Sequence, residues 1–434
     1  MRDLWRDLPV LTQDLLILAG LLIPLILIGF ILTRGTRPWT IARGILRAYP
    51  GVSAVFVALI AVSIAVGTAI LAQERGLRIG SAQAADPFTL IVAAPGSDIT
   101  AMLAAVYLQP SAIELLDGAA YDRIASHERV TIAAPIAFGD SWEGHPVVGT
   151  IAPFVNHLTG DLAEGRIFQT SEEAIAGAFV PIGIGEAFEP AHGHGAEAED
   201  GAHAGFEYTV TGRMAPTGSP WDKAILVPVE GVWQVHGLAD GHAEPGRIGP
   251  PFVPELFPGT PAVLVVPDTP FAAYPLRSEF TDSTMMGILP GAVLSRLHGL
   301  LGDVRQALSI MATASQALVA TGVMAGLFIL TRLLGRRLAL LRALGAPRRF
   351  AVAVLWTHAM GLIVAGALIG LALGWIAARI LGQVLTGMTD IAIDAPLGWG
   401  EVHLTAVFLS LAGFIALLPA WLGTRRIRIT DLRA

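Results

Sequence analysis

Arg336-Arg337-Leu338-Ala339-Leu340-Leu341-Arg342-Ala343-Leu344-Gly345-Ala346-Pro347-Arg348-Arg349-Phe350 joins two long apolar segments, one ending near Thr331 and the other beginning near Ala351. With Arg332 it brings six arginines together, and such a cluster at membrane ends marks the cytoplasmic side. Leu338, Leu341 and Leu344 recur at helical spacing between the arginines, so the segment reads as a short amphipathic helix at the membrane surface. Gly345, with Pro347 just beyond, is a usual helix end. A positive helical knob of this kind suits docking onto another protein. On residue chemistry alone it serves equally well as a topology anchor.

The rest of the chain is as apolar as these flanks. Of 434 residues, 53% are hydrophobic and 15% charged, and the mean hydropathy is +0.62, which points to an integral membrane protein. Cysteine is absent, so disulfides and thiolate metal sites are excluded. The net charge of −7, with arginines gathered near predicted membrane ends, gives nucleic-acid binding no support. The single lysine, Lys223, follows Asp222, and no Gly-Lys-Ser/Thr phosphate loop exists. If ATP is used, it binds on another chain. No Ser/His/Asp or paired-carboxylate arrangement stands out, so no catalytic residue is assigned.

Five spans are expected. Leu15–Leu32 is long enough to cross a hydrocarbon core of about 30 Å, with Pro24 a tolerated kink. Arg34, Arg37, Arg43 and Arg47 after it place the N-terminus outside. Trp39, Ile41, Ile45 and Leu46, interleaved with Arg43 and Arg47, read as an amphipathic helix on the inner surface. A signal peptide is the competing reading of the first span, and the absence of a small-residue cleavage site after it argues against that. Val52–Leu71 is the second span, and Ser81–Ala85 beyond it only mimics a cleavage site. The third is about Ser309–Leu330, the fourth Val352–Ile380 and the last Thr405–Leu422. Gly366, Gly370 and Gly374 in the fourth span read as a small-residue stripe that lets helices approach closely, with loose glycine use in an Ala/Gly-rich chain as the alternative. His358, early in the same span, is expected to hydrogen-bond across helices. Arg425, Arg426 and Arg428 make the tail basic, so the C-terminus is expected in the cytoplasm.

Between about 74 and 305 no segment could span. Thr89–Ala94, Val130–Ala137, Tyr208–Arg213, Ala224–Val229 and Ala262–Val266 read as strands, and Asp98–Leu108 and Gly118–Ser126 as helices, which predicts an α+β domain. Pro- and Gly-rich residues 245–261 predict a long loop or a subdomain boundary. The fold class expected is therefore a membrane α-helical protein with a large α+β extracytoplasmic domain inserted between spans two and three.

The arginine-rich loop, followed by a Gly-rich apolar span, resembles that of FtsX-like permeases, the membrane subunits of MacB-type ABC transporters. Four further phrases carry the same resemblance in order: LIVAAPGSDITAMLAAVY (90–107), IAAPIAFGDSWEGHPVVGT (132–150), YTVTGRMAPTGSPWDKAILVPVEGVWQVHG (208–237) and ILPGAVLSRLHGLLGDVRQAL (288–308). The extra first span departs from the pattern, as does EAIAGAFVPIGIGEAF (173–188), which is shorter than the family's helix-turn there. The resemblance implies four parts: an extra helix and amphipathic segment (1–50), a span (51–73), a MacB-like periplasmic domain with stalk (74–305), and an FtsX-like domain (306–434) with a coupling loop at 332–350. It also implies a mechanotransmission permease of the bacterial inner membrane. A separate cytoplasmic ATPase would supply ATP and Mg²⁺ and dock on Arg336, Arg337, Arg342, Leu344, Gly345, Arg348 and Arg349. Expected partners are that ATPase, a second permease copy, membrane lipid and a periplasmic adaptor or substrate-binding protein.

Leu294, Leu297, Leu301, Val304 and Leu308 alternate three and four apart, a heptad stripe that runs into the third span. They are the expected stalk, and an ordinary helix packed on its own domain is the plainer reading. His192, His194 and His203, among Glu189, Glu197, Glu199 and Asp200, are candidate Zn²⁺ ligands, with a solvated acidic loop as the alternative. His236 and His242, with Glu244, form a second cluster that could complete such a site in space. The other function class consistent with these features is a membrane-anchored sensor or scaffold that relays an outside signal without transport.

Overall fold

The computed structural model describes residues 5, 7–109, 111–193, 205–333, 339–340, 344–389 and 391–425. Helices α1 (Val10–Thr33), α2 (Trp39–Ala48) and α3 (Pro50–Ala85) come first. Strand β1 (Leu90–Ala93), α4 (Asp98–Tyr107), α5 (Gly118–Ala125), β2 (Val130–Pro135), β3 (Ala137–Trp142), β4 (His145–Thr150) and α6 (Ala152–Thr159) follow. Next are β5 (Glu164–Gly165), β6 (Glu173–Ala176), β7 (Ala187–Phe188), β8 (Ala191–His192), β9 (Tyr208–Arg213), β10 (Ile225–Pro228) and α7 (Val229–Val235). Then come β11 (Ala262–Pro267), α8 (Ala273–Glu279), β12 (Met286–Ile288), α9 (Pro290–Leu333), α10 (Arg348–Thr389), α11 (Trp399–Ile415) and α12 (Leu417–Arg425). The chain divides into a helical unit (Met1–Leu77, Gly302–Gln383, Asp394–Ala434) and an α+β unit (Arg78–Leu301, Val384–Ile393).

Among the described residues four helical stretches are long and apolar enough to cross a membrane: Val10–Thr33, Pro50–Ala85, Arg348–Gly387 and Trp399–Leu422. The expected third span falls inside the continuous helix α9, many of whose side chains lie outside the described residues. Ile26, Val55, Leu368 and Ile380 are exposed, as the outer face of a lipid-embedded bundle requires. The first helix is an integral part of the helical unit. Ser410 Oγ on α11 donates to the Leu21 carbonyl at 2.5 Å, and His403 Nε2 lies 3.0 Å from the Asp14 carbonyl.

The glycine stripe of α10 lies against α3. A Cβ on Gly366 would fall 2.7 Å from the Ile60 Cβ, on Gly370 2.7 Å from the Ala61 carbonyl, and on Gly374 2.6 Å from the Thr68 Cβ. Only hydrogen fits at these three positions, so the backbones approach as a small-xxx-small stripe allows. Arg75 on α3 clamps the start of α11: its Nη2 lies 2.6 and 2.7 Å from the two oxygens of Glu401, whose side chain is fully buried. Glu401 Oε2 also accepts the Gly398 N–H at 3.1 Å, which caps α11.

The α+β unit is built on two sheets. One has the order β12-β1-β11-β2, with every pairing antiparallel. The other runs β5-β9-β6-β10-β4-β3-β8 and is mixed, since β10 pairs parallel with β4 and β6 with β9. β1 is buried at every position, so it reads as a continuous apolar run rather than an alternating one. Ser97 and Asp117 cap α4 and α5 by accepting the Thr100 and Ala120 N–H groups. Trp221 is fully buried, with ring centroids 5.6 Å from Phe88 and 5.7 Å from Phe154.

One expectation needs correction. Val130–Ala137 is not one strand: it holds all of β2 and the first residue of β3, which lie in different sheets. The chain changes sheet at Ile136, whose N–H is shared by the Ala262 carbonyl and Thr260 Oγ1, while Thr260 donates back to the Ile136 carbonyl at 2.7 Å. That side chain supplies the partners the ladder gives up. Residues 173–188 hold strand β6, a loop and the short β7. β6 sits between β9 and β10, so its apolar residues 174–176 are fully buried. Residues 245–261 form a long loop with one short 3-10 turn, Pro254–Leu256, tied down where Thr260 pairs with Leu116.

Candidate functional site

One constellation in the α+β unit brings metal-ligating side chains together. β3 and β8 pair antiparallel with Asp140 opposite His192. The β3–β4 register shifts between Phe138 and Asp140, an irregularity of the kind that re-aims a side chain. Gly193 N–H donates to the Gly139 carbonyl and Ser141 Oγ to the Gly193 carbonyl, both at 2.7 Å. These bonds hold β8, only two residues long, in register. His236 arrives from the other side, as the residue that ends α7.

His192 Nδ1 lies 3.3 Å from Asp140 Oδ1, His236 Nε2 lies 3.4 Å from the same oxygen, and the two ring nitrogens are 3.4 Å apart. The Asp140 side chain is 1% exposed, whereas those of His192 and His236 are 51% and 26% exposed, so the site is anchored from inside and reachable from outside. His236 Nδ1 faces the Val232 carbonyl at 2.8 Å and donates to it, since a carbonyl can only accept. The Asp140 carboxylate raises the His236 pKa above its ordinary value, partly opposed by burial. Burial first, and the Asp140 charge second, push the Tyr208 hydroxyl well above its usual range. His236 also forms part of the wall of a cleft of about 620 Å³, with Phe138, Gly139, Trp233, Leu238 and Pro258.

A second histidine–carboxylate pair lies nearby in sequence and differs in kind. His242 Nε2 is 3.2 Å from Glu230 Oε1, and both side chains are sealed, at 2% and 1% exposure. Glu230 also accepts the Gly249 N–H at 2.6 Å, and burial raises its carboxyl pKa. Tyr121, Trp233, Phe252 and Phe257 pack around one another, with His242 against Phe252. This pair ties down a loop. Glu244, grouped with these histidines in the sequence, is exposed.

Of the three loop histidines only His192 is among the described residues; His194 and His203 lie outside them. Asp140, in no sequence cluster, was given away by no local signal. In the arginine-rich loop Arg336, Arg337 and Arg342 lie outside the described residues. Leu344 is 84% exposed, Gly345 turns with φ of 91°, and Arg348 and Arg349 are exposed at the start of α10. Beside them Ala339, Ala351, Val354 and Leu355 are buried with Ile45 of α2 and Ala420 of α12. His358 is buried and meets the Ala42 backbone of α2. Of the stalk stripe, Leu294 is buried in the core of the α+β unit and Leu297 packs on it, whereas the side chains of Leu301, Val304 and Leu308 lie outside the described residues.

No family model matches the chain, and no curated protein matches it. Among solved structures it is similar to the periplasmic region of MacB from Actinobacillus actinomycetemcomitans, at 9% identity and a TM-score of 0.29, over 48% of this chain and 92% of that one. A score of that size is below what a shared fold gives, so the functional reading rests on this chain's own residues.

Proposed function

We propose that the chain is the membrane subunit of an ABC transporter of the FtsX/MacB type, acting by mechanotransmission on an envelope or exported substrate. The observation that carries the reading is the apolar tip of the arginine-rich loop. Leu344 is 84% exposed beside Arg348 and Arg349, while Ala339, Ala351 and Leu355 at its base are packed into a core. A bare apolar tip on a fixed base, followed by the cations Arg348 and Arg349, suits a groove on a soluble partner. ATP and Mg²⁺ belong to that partner in this reading, in keeping with a sequence that has no Gly-Lys-Ser/Thr phosphate loop. In this reading the arginine-rich segments face the cytoplasm of an inner membrane and two permease copies pair. Nucleotide-driven closure of two ATPases tilts the loop, and α9 passes the motion to the α+β unit.

Leu344→Asp tests the docking surface. Because Leu344 is exposed, the variant is expected to express and melt like the parent. It should lose co-purification with the cytoplasmic ATPase partner by at least tenfold, about 1.4 kcal/mol. Undiminished ATPase binding would remove the loop from the interface. A neighbouring kinase or hydrolase that co-purifies in place of an ATPase would favour a signal relay.

A further inference from the structure

We propose that Asp140, His192 and His236 form a divalent-metal site in the α+β unit, built for tetrahedral Zn²⁺. This does not depend on the transporter reading. Three donor atoms, Asp140 Oδ1, His192 Nδ1 and His236 Nε2, make a near-equilateral triangle with edges of 3.3, 3.4 and 3.4 Å. In a tetrahedral complex with bonds of about 2.05 Å, two ligand atoms are about 3.3 Å apart. Neighbouring ligands on an octahedral cation at about 2.1 Å would be about 3.0 Å apart. The triangle therefore has the size of one face of a zinc tetrahedron. A charge-assisted hydrogen bond would draw nitrogen and oxygen to about 2.7–2.9 Å, and neither nitrogen–oxygen edge is that short.

The orientation of His236 agrees. Its Nδ1–H is committed to the Val232 carbonyl at 2.8 Å, which leaves the Nε2 lone pair of the neutral ring aimed at the triangle. A metal-bound imidazole is usually held this way, with its other nitrogen donating to a carbonyl or carboxylate. Asp140 supplies the negative charge from a buried position, and the β3–β8 pairing fixes His192 although its ring is half exposed. Two imidazoles and one carboxylate are a zinc-type donor set. Among the described residues three side chains supply ligands, and a tetrahedral cation takes one further donor, from the protein or from solvent. The ligands come from three separate strands and helix ends, so the site exists only when the unit is folded. Binding therefore adds to its stability.

The test uses the full chain in detergent, stripped with a chelator and titrated with Zn²⁺ by calorimetry alongside metal analysis. One Zn²⁺ per chain is expected. His192→Ala, His236→Ala and Asp140→Asn should each weaken it at least tenfold and abolish the zinc-induced rise in melting temperature. His192→Ala keeps the test independent of folding, because its half-exposed ring leaves the metal-free melting temperature unchanged. A His194→Ala/His203→Ala double variant separates this site from simple capture by the histidine-rich loop. Weakening by that variant together with the three single variants identifies a fourth ligand and supports the site, as does no effect of the double variant. Failure of the parent to bind, or loss of zinc in the double variant while the three single variants bind like the parent, overturns it.

Discussion

The helical and α+β units are held together by different physics. In the α+β unit, side chains such as Trp221, Ile225, Leu264 and Phe154 are removed from water, and the hydrophobic effect supplies the drive. The helical unit exposes Ile26, Val55, Leu368 and Ile380, and a lipid tail is as apolar as the leucine it would replace. Its helices must therefore be held by close backbone approach at Gly366, Gly370 and Gly374 and by polar clamps such as Arg75–Glu401. The α+β unit has room for a buried ionisable pair, Glu230–His242, because its apolar core outweighs the cost of desolvating it.

Arg75→Met should have the largest effect. It strands the carboxylate of Glu401, whose side chain is fully buried, with one backbone donor. The cost is about 3 kcal/mol, the low end for a broken buried pair because the Arg75 side chain is 23% exposed. Thermal unfolding in detergent would read it. Adding Glu401→Leu should recover most of the loss, since the buried charge is then gone. An unchanged melting temperature in the single variant would show that polar clamps do not hold the helical unit.

Gly370→Val comes next. Its Cβ would lie 2.7 Å from the Ala61 carbonyl and 2.8 Å from the Ile64 Cβ, and backbone cannot step aside as a side chain can. Overpacking of this kind costs about 1–3 kcal/mol. Gly361, with open space at its Cβ position, is the control: Gly361→Ala should be neutral or slightly stabilising. Equal effects at the two positions would mean that the stripe is not an interface.

The smallest effect belongs to the α+β unit and concerns pH. Burial raises the Glu230 carboxyl pKa, so the folded chain holds that proton more tightly than the unfolded chain does. This contribution is fully present below the ordinary carboxylate range and is lost as pH rises through the folded value. Glu230→Gln keeps an oxygen for the Gly249 N–H and should flatten the fall in stability on raising pH from acid, by less than about 1 kcal/mol. A steeper fall in the variant would show that ionised Glu230 is the form the fold favours.

Much of the helical unit could be read from the chain itself. A run of apolar residues of membrane length, an arginine cluster at its end and glycines four apart are local patterns, and a helix satisfies its own backbone whatever lies beside it. The strands at 208–213 and 262–267 were also legible, because β-branched and apolar residues stand between turn residues. The strand at 145–150 was not, since Pro146 and Gly149 weaken its pattern, and it forms because β3 and β10 flank it on both sides. The break at Ile136 was hidden too, because it depends on Thr260, 124 residues away.

The metal-type triangle shows where the division falls. The sequence determined that His192 stands in a histidine-rich, acidic stretch and that His236 falls with His242 and Glu244 in a second cluster. Only the tertiary structure decided that they face each other over Asp140, because Asp140 is 52 residues from His192, and His192 is 44 from His236. Sequence periodicity specifies which face of its own element a side chain takes. Which faces meet is set by strand register and by the shift after Phe138, and a register displaced by one residue would turn Asp140 to the opposite side of the sheet.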